Sequence, residues 1–137
     1  MTTPSGGVDE VRITTDGDVV RVRQLVRGYA TQAKLSLVDQ TKLVTATSEL
    51  ARNTLVYGGG GLATVEMVSD GRRTGVRASF RDEGPGIPDT TLAFADGWSS
   101  GKGLGLGLSG ARRLVDDFAL DTEVGRGTTV TVVKWSR

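Results

Sequence analysis

The sequence contains neither histidine nor cysteine in its 137 residues. Without histidine there is no imidazole base, no Ser-His-Asp triad and none of the usual zinc sites. Without cysteine there is no disulfide framework and no thiolate nucleophile. Any general base must be Asp, Glu, Lys or Tyr. Charge of one sign is missing too. Lys plus Arg is 17, Asp plus Glu is 16, and the net charge is +1. That balance lacks the basic footprint of a nucleic-acid binder. No apolar run approaches the ~20 residues of a membrane span, and the polar start, residues 1–7, has no apolar core of the signal-peptide kind. The expectation is a cytoplasmic protein with neither a nucleic-acid nor a membrane partner.

Glycine is abundant, with 20 residues that cluster rather than spread. The length suits one domain with a single core. Residues 1–9 read as a flexible leader and 10–137 as the domain. Val11 and Ile13 alternate with polar neighbours, a strand pattern, before Asp16-Gly17-Asp18 interrupts. From 19 to 34, Val19, Val22, Leu25, Val26, Tyr29 and Ala33 recur at three- and four-residue steps, predicting an amphipathic helix. Arg21, Arg23 and Arg27 lie mostly off that stripe, where they could meet an acidic partner. Ser36 opens a capping signature with Asp39, and a long helix to about Tyr57 follows, with Leu43, Ala46, Leu50 and Val56 inward. Four glycines, 58–61, end it.

Residues 62–69 and a run in which Val76, Ala78 and Phe80 alternate with Arg77, Ser79 and Arg81 form a predicted hairpin around Asp70-Gly71. Residues 82–110 read as loop, a short helix spans 108–117, and strands 118–124 and 128–135 meet through Gly125-Arg126-Gly127. Tight turns between most strands predict a mixed or antiparallel sheet. The fold class is therefore α/β: an α+β two-layer sandwich with the helices on one face.

Three elements carry chemistry. Glu49 and Asn53 are four residues apart on a helix, about 40° of rotation, so a carboxylate and an amide project from one face. That pair suits a magnesium site with a base beside it, because Mg²⁺ takes oxygen ligands and keeps waters. Asp82-Glu83-Gly84-Pro85-Gly86-Ile87-Pro88 places a carboxylate at a strand end before a sharp turn, where it can accept from an exocyclic amine. Gly101-Lys102-Gly103-Leu104-Gly105-Leu106-Gly107-Leu108 alternates glycines ahead of a helix, which lets backbone amides approach an anion. It is neither a Rossmann nor a Walker loop. Leu108 stands where the third Rossmann glycine belongs, and only three residues separate Gly97 from Gly101-Lys102.

In this order the three elements resemble the GHKL (Bergerat-fold) ATP-binding superfamily of gyrase, heat-shock chaperone, histidine kinase and mismatch-repair proteins, over about residues 10–135. Ser48-Glu49-Leu50-Ala51-Arg52-Asn53, Asp96-Gly97-Trp98-Ser99-Ser100, Gly125-Arg126-Gly127-Thr128 and the ending Lys134-Trp135-Ser136-Arg137 look most like the switch kinases (RsbT type) of bacterial partner-switching and stressosome pathways. Anti-sigma factor kinases are related to these. The resemblance implies an ATP- and Mg²⁺-dependent serine/threonine protein kinase acting on a STAS-domain antagonist, with a PP2C-type phosphatase as a further partner. A sigma factor is the partner in the anti-sigma alternative, and a nucleotide-binding module without transfer activity is a third reading. It implies Glu49 as base or water-orienter, Asn53 on Mg²⁺, Asp82 on adenine, and Gly84, Gly86 and Ile87 at the pocket floor. Lys102, Gly103, Leu104, Gly105, Leu106, Gly107 and Leu108 would line the phosphates, and Thr128 or Thr129 the adenine end. Trp98 and Gly97 would belong to a short lid.

Overall fold

The computed structural model describes residues 7–84 and 107–137. Its elements run β1 (Val8–Ile13), α1 (Asp16–Gln32), α2 (Leu37–Val56), β2 (Gly61–Ser69), β3 (Thr74–Asp82), α3 (Gly107–Leu114), β4 (Asp117–Glu123) and β5 (Gly127–Trp135). The five strands form one sheet in the order β1-β2-β3-β5-β4, and every ladder is antiparallel. Of the two expected arrangements, the antiparallel one is found; the tight turns of β2–β3 and β4–β5 require it for those two pairs.

Strand alternation divides the sheet into two faces. Ala63, Val65, Val76, Ala78, Phe80, Val130 and Val132 are buried on one of them. They meet Val22, Val26 and Tyr29 of α1 and Leu43, Ala46 and Leu50 of α2 in a single core. Burying a side chain of this size contributes ~1.5–3 kcal/mol, so this layer contact holds the helices on the sheet. On the opposite face Arg77 pairs with Glu66 at 3.1 Å, and Ser79 bonds Thr131 at 3.1 Å.

Several details differ from the sequence reading, among them the short helix expected over 108–117, which ends at Leu114, with Asp117 in β4. Val8 and Asp9, expected in the leader, belong to β1, which pairs with β2 from Val8 onward. Asp9 is also fixed from above: the buried Tyr29 hydroxyl donates to its Oδ2 at 2.7 Å. Burial and that carboxylate push the Tyr29 phenol up to about 12.

Helix α1 starts at Asp16, so the expected interruption is its first turn. Thr15 caps it in a reciprocal box with Asp18, whose Oδ2 accepts from the Thr14 and Thr15 amides at 2.9 and 3.0 Å. The helix stops at Gln32, and Lys34 beyond it takes a left-handed conformation at φ 62°. Val56, expected inward, is 52% exposed, because six residues turn the helix about 240° from the buried Leu50. Ser36 does cap α2, accepting from the Asp39 amide at 3.1 Å.

The chain's end is tied into the helix layer. Lys134 is buried, with Asp39 at 3.6 Å and Asp116 at 3.5 Å. Arg137 bonds Asp116 at 2.7 Å, and the Trp135 indole donates to Asp117 at 2.9 Å. Burial would raise the Asp116 carboxyl, but the Trp135 amide, Lys134 and Arg137 outweigh it and hold the group below the usual carboxylate range.

Candidate functional site

One cross-strand row organises the end of the sheet under the C-terminus of α2. Gly61 pairs with Asp82, Asp82 with Thr128, and Thr128 with Thr122. By strand parity these residues face the helices, on the same side as Phe80 and Val130. Thr128 therefore stands beside Asp82, whereas Thr129 is on the other face, next to Arg81. That separates the two threonines left open by the sequence. The hydroxyls of Thr122 and Thr128 lie 2.8 Å apart.

Glycines bring the backbone close to Asp82. A Cβ on Gly58 would overlap the Cβ and Cγ of Asp82, and one on Gly84 would lie 2.8 Å from the Gly58 Cα. Gly127 adopts φ 111°, and a Cβ there would overlap the Asp82 carbonyl oxygen. The Gly84 amide donates to Asp82 Oδ1 at 2.9 Å. Burial raises the Asp82 carboxyl above its ordinary pKa, and the amides of Gly84 and Thr128 only partly oppose that. A desolvated carboxylate of this kind is poised to accept a hydrogen bond from a ligand.

The second part of the site is on α2. Glu49 and Asn53 are half-buried, each directly preceding a buried residue, Leu50 and Thr54. Both polar atoms of the Asn53 side chain are buried without a hydrogen-bond partner among the described residues. Leaving such a group unsatisfied costs ~1–3 kcal/mol. The amide oxygen fits a hard cation that needs few protein ligands. No group of three or more His, Cys, Asp or Glu gathers among the described residues, so an ion on Asn53 would take its other ligands from water and phosphate. The Asn53 carbonyl also receives the Gly58 amide at 3.4 Å, which links this turn of α2 to the glycine above Asp82.

Two depressions flank these residues. A cleft of about 250 Å³ at the sheet end includes Asp82, Glu83, Gly127, Thr128 and Arg126 in its lining. A groove of about 560 Å³ between α1 and α2 is lined by Val19, Val20, Arg23, Ser48, Glu49 and Arg52, among others. Glu49 thus lines the α1–α2 groove. Arg23 reaches Ser48 Oγ at 3.0 Å and Arg21 pairs with Asp18 at 3.2 Å, so two of the three arginines expected as a docking face already have partners. Of the glycine loop, Gly107 begins α3 and Leu108 is buried in the core. Gly86, Ile87, Gly97, Trp98, Lys102, Gly103, Leu104, Gly105 and Leu106 lie outside the described residues.

Residues 38–136 match the histidine kinase-, DNA gyrase B-, and HSP90-like ATPase family (HATPase_c). The chain belongs to this family. It is 44% identical over 127 residues, 93% of this chain and 96% of its relative, to the serine/threonine-protein kinase RsbT of Bacillus subtilis. An anti-sigma F factor of Geobacillus kaustophilus is 28% identical over 120 residues, 82% of this chain and 80% of that one. The solved RsbU and RsbW domains of Rv1364c from Mycobacterium tuberculosis superpose with a TM-score of 0.66 at 23% identity, covering 96% of this chain and 33% of that one, a likeness of fold. Family and relatives make this GHKL protein an ATP-using enzyme of the serine/threonine protein kinase type. No helix among the described residues is long and apolar enough to cross a membrane.

Three residues at the site escaped the sequence reading. Gly58 read only as a helix stop and Gly127 only as a turn, although each is forced by its approach to Asp82. Thr122 gave no signal, since its role depends on lying opposite Thr128.

Proposed function

We propose that this kinase serves a bacterial partner-switching pathway in the cytoplasm. It would transfer the γ-phosphoryl group of ATP to a Ser or Thr of a STAS-domain antagonist, and bind a PP2C-type phosphatase as a second partner. The observation that carries the reading is the Asn53 amide, buried and without a partner among the described residues, one helical turn beyond the Glu49 carboxylate. A fold does not keep such a group at ~1–3 kcal/mol without a use for it.

The assignment of roles follows. Asp82 accepts the adenine amine, with Gly84 and Thr128 beside it. Asn53 holds Mg²⁺, which when bound neutralises phosphate charge. Gly103, Gly105, Gly107 and Lys102 line the phosphates by resemblance. Phosphoryl transfer then asks the protein mainly for positioning and charge. The acceptor hydroxyl oxygen bonds the γ-phosphorus, the bond from phosphorus to the bridging oxygen of ADP breaks, and the hydroxyl proton passes to Glu49. Glu49 lines the α1–α2 groove, so the acceptor segment would approach from that side.

Incubation with γ-labelled ATP, Mg²⁺ and the STAS-domain protein encoded nearest this gene tests the proposal. Label on a Ser or Thr of that protein supports it. Tight nucleotide binding with no transfer overturns it in favour of an anti-sigma role, the second reading, which the 28% identity to an anti-sigma F factor favours. A sigma factor retained by the purified protein would then be expected.

A further inference from the structure

We propose that the corner between α1 and α2, which carries Leu37 and Val38, is a docking surface for a second protein whose contact face sets an acidic rim around an apolar pocket. The inference rests on the reading above that the kinase binds a PP2C-type phosphatase besides its substrate, and it assigns that partner to this surface.

Leu37 is the most exposed large apolar side chain among the described residues, at 74%, and Val38 beside it is 63% exposed. They open α2, where the helix dipole favours acidic side chains, so neither local structure nor the core asks for them. The corner that presents them is held firmly. Leu35 is buried, its amide donates to the Ala30 carbonyl at 3.1 Å, and its own carbonyl accepts from Gln40 Nε2 at 3.0 Å. Ser36 caps the helix, and the Thr41 hydroxyl donates to the Leu37 carbonyl at 3.0 Å. An anchor held this way loses little conformational freedom on binding.

The uncompensated charge around the pair has one sign. Lys34 precedes Leu37 in the connection and Lys42 follows Val38 by one helical turn; both are exposed, and neither forms an ion pair among the described residues. Asp39 is the only acidic residue between positions 28 and 48, and it turns inward to Lys134 at 3.6 Å and Arg137 at 3.9 Å. Two lysines beside an apolar pair complement an acidic surface. They argue against a second copy of this chain, because a two-fold contact would set lysine against lysine. They argue against a membrane as well, since two apolar side chains and two charges supply much less than stable anchoring needs. Leu37 and Asn53 lie near opposite ends of α2, about 24 Å apart along its axis. A partner held at Leu37 leaves the Asn53 end free for nucleotide and substrate.

The test measures binding of the PP2C-type phosphatase encoded nearest this gene by calorimetry, for the full chain, Leu37→Ser/Val38→Ser and Lys42→Glu, alongside ATP affinity and label transfer to the STAS-domain protein. The expected result is a phosphatase affinity about thirtyfold lower in Leu37→Ser/Val38→Ser, the scale of an interface hot spot. Lys42→Glu binds more weakly too, and its affinity responds less to added salt than that of the wild type. Both variants keep the wild-type melting temperature, ATP affinity and transfer, because the substituted side chains are exposed and remote from the site. Undiminished phosphatase affinity in Leu37→Ser/Val38→Ser overturns the proposal. So does a parallel loss of transfer to the STAS-domain protein, which would make the surface a substrate contact, or a wild-type dimer that the double substitution dissolves. Cosedimentation of the wild type, but not of Lys42→Glu, with phosphatidylserine vesicles would overturn it in favour of a membrane. A wild type that transfers phosphate yet binds no phosphatase instead overturns the underlying reading of a second partner, and the proposal with it.

Discussion

Gly58 and Asp82 are in backbone-to-side-chain contact, so close that any Cβ on the glycine would overlap the Asp82 Cβ and Cγ and stand 2.7 Å from the Thr54 carbonyl. Neither neighbour is the free end of a flexible chain. Gly58→Ala must therefore displace the end of α2 or the Asp82 carboxylate. Overpacking of this kind costs ~1–3 kcal/mol. The expected outcome is a lowered melting temperature and at least tenfold weaker ATP binding by calorimetry. Wild-type affinity in Gly58→Ala would remove the glycine from the site.

The Asp82 carboxyl has a raised pKa, caused first by burial, so it collects its proton at a higher pH than an ordinary carboxylate. Between its unfolded and folded pKa the native state holds the extra proton, and its contribution to stability falls as pH rises through that window. Nucleotide affinity runs the other way, because the ionised form is the stronger acceptor for an amine. ATP affinity should drop as the solution becomes mildly acidic, and Asp82→Asn should be weaker throughout and lack this pH step. A wild-type profile flat across the acidic range would contradict the assignment.

Asn53→Ala separates stability from function. It removes two buried polar atoms that have no partner among the described residues, so the nucleotide-free variant should melt at or above the wild-type temperature. Its ATP affinity should fall in Mg²⁺ but match wild type in EDTA. A variant equally impaired with and without the metal would argue against Mg²⁺ on Asn53.

Glu49→Ala should bind ATP like wild type and transfer phosphate roughly 10²–10⁴-fold more slowly, the range of general-base help. Single-turnover transfer to the protein substrate reads this directly. Undiminished transfer would exclude Glu49 as the base.

Lys134 is buried against Asp39 and Asp116. Lys134→Met leaves those carboxylates facing each other with only the more exposed Arg137, and should cost on the order of 3 kcal/mol in a urea titration. A loss below about 1 kcal/mol would mean that Arg137 alone satisfies both.

Much of this protein follows from local pattern. The helices are legible because their apolar spacing matches 3.6 residues and Ser36 supplies a cap. The inward face of β3 is legible because Val76, Ala78 and Phe80 alternate with polar residues. The absence of histidine and cysteine narrows the chemistry, and the order of Glu49-Asn53, Asp82 and the glycine loop points to the family. What required the tertiary structure is everything set by contact between distant segments. Asp9 is strand because Tyr29, twenty residues on, holds it. Thr128 rather than Thr129 shares a face with Asp82 because the β3–β5 register places it there. Gly58 and Gly127 must lack side chains because one packs on the Asp82 side chain and the other on the Asp82 main-chain carbonyl. Periodicity is a property of neighbours in the chain, whereas register and close approach are fixed only when the strands and helices pack.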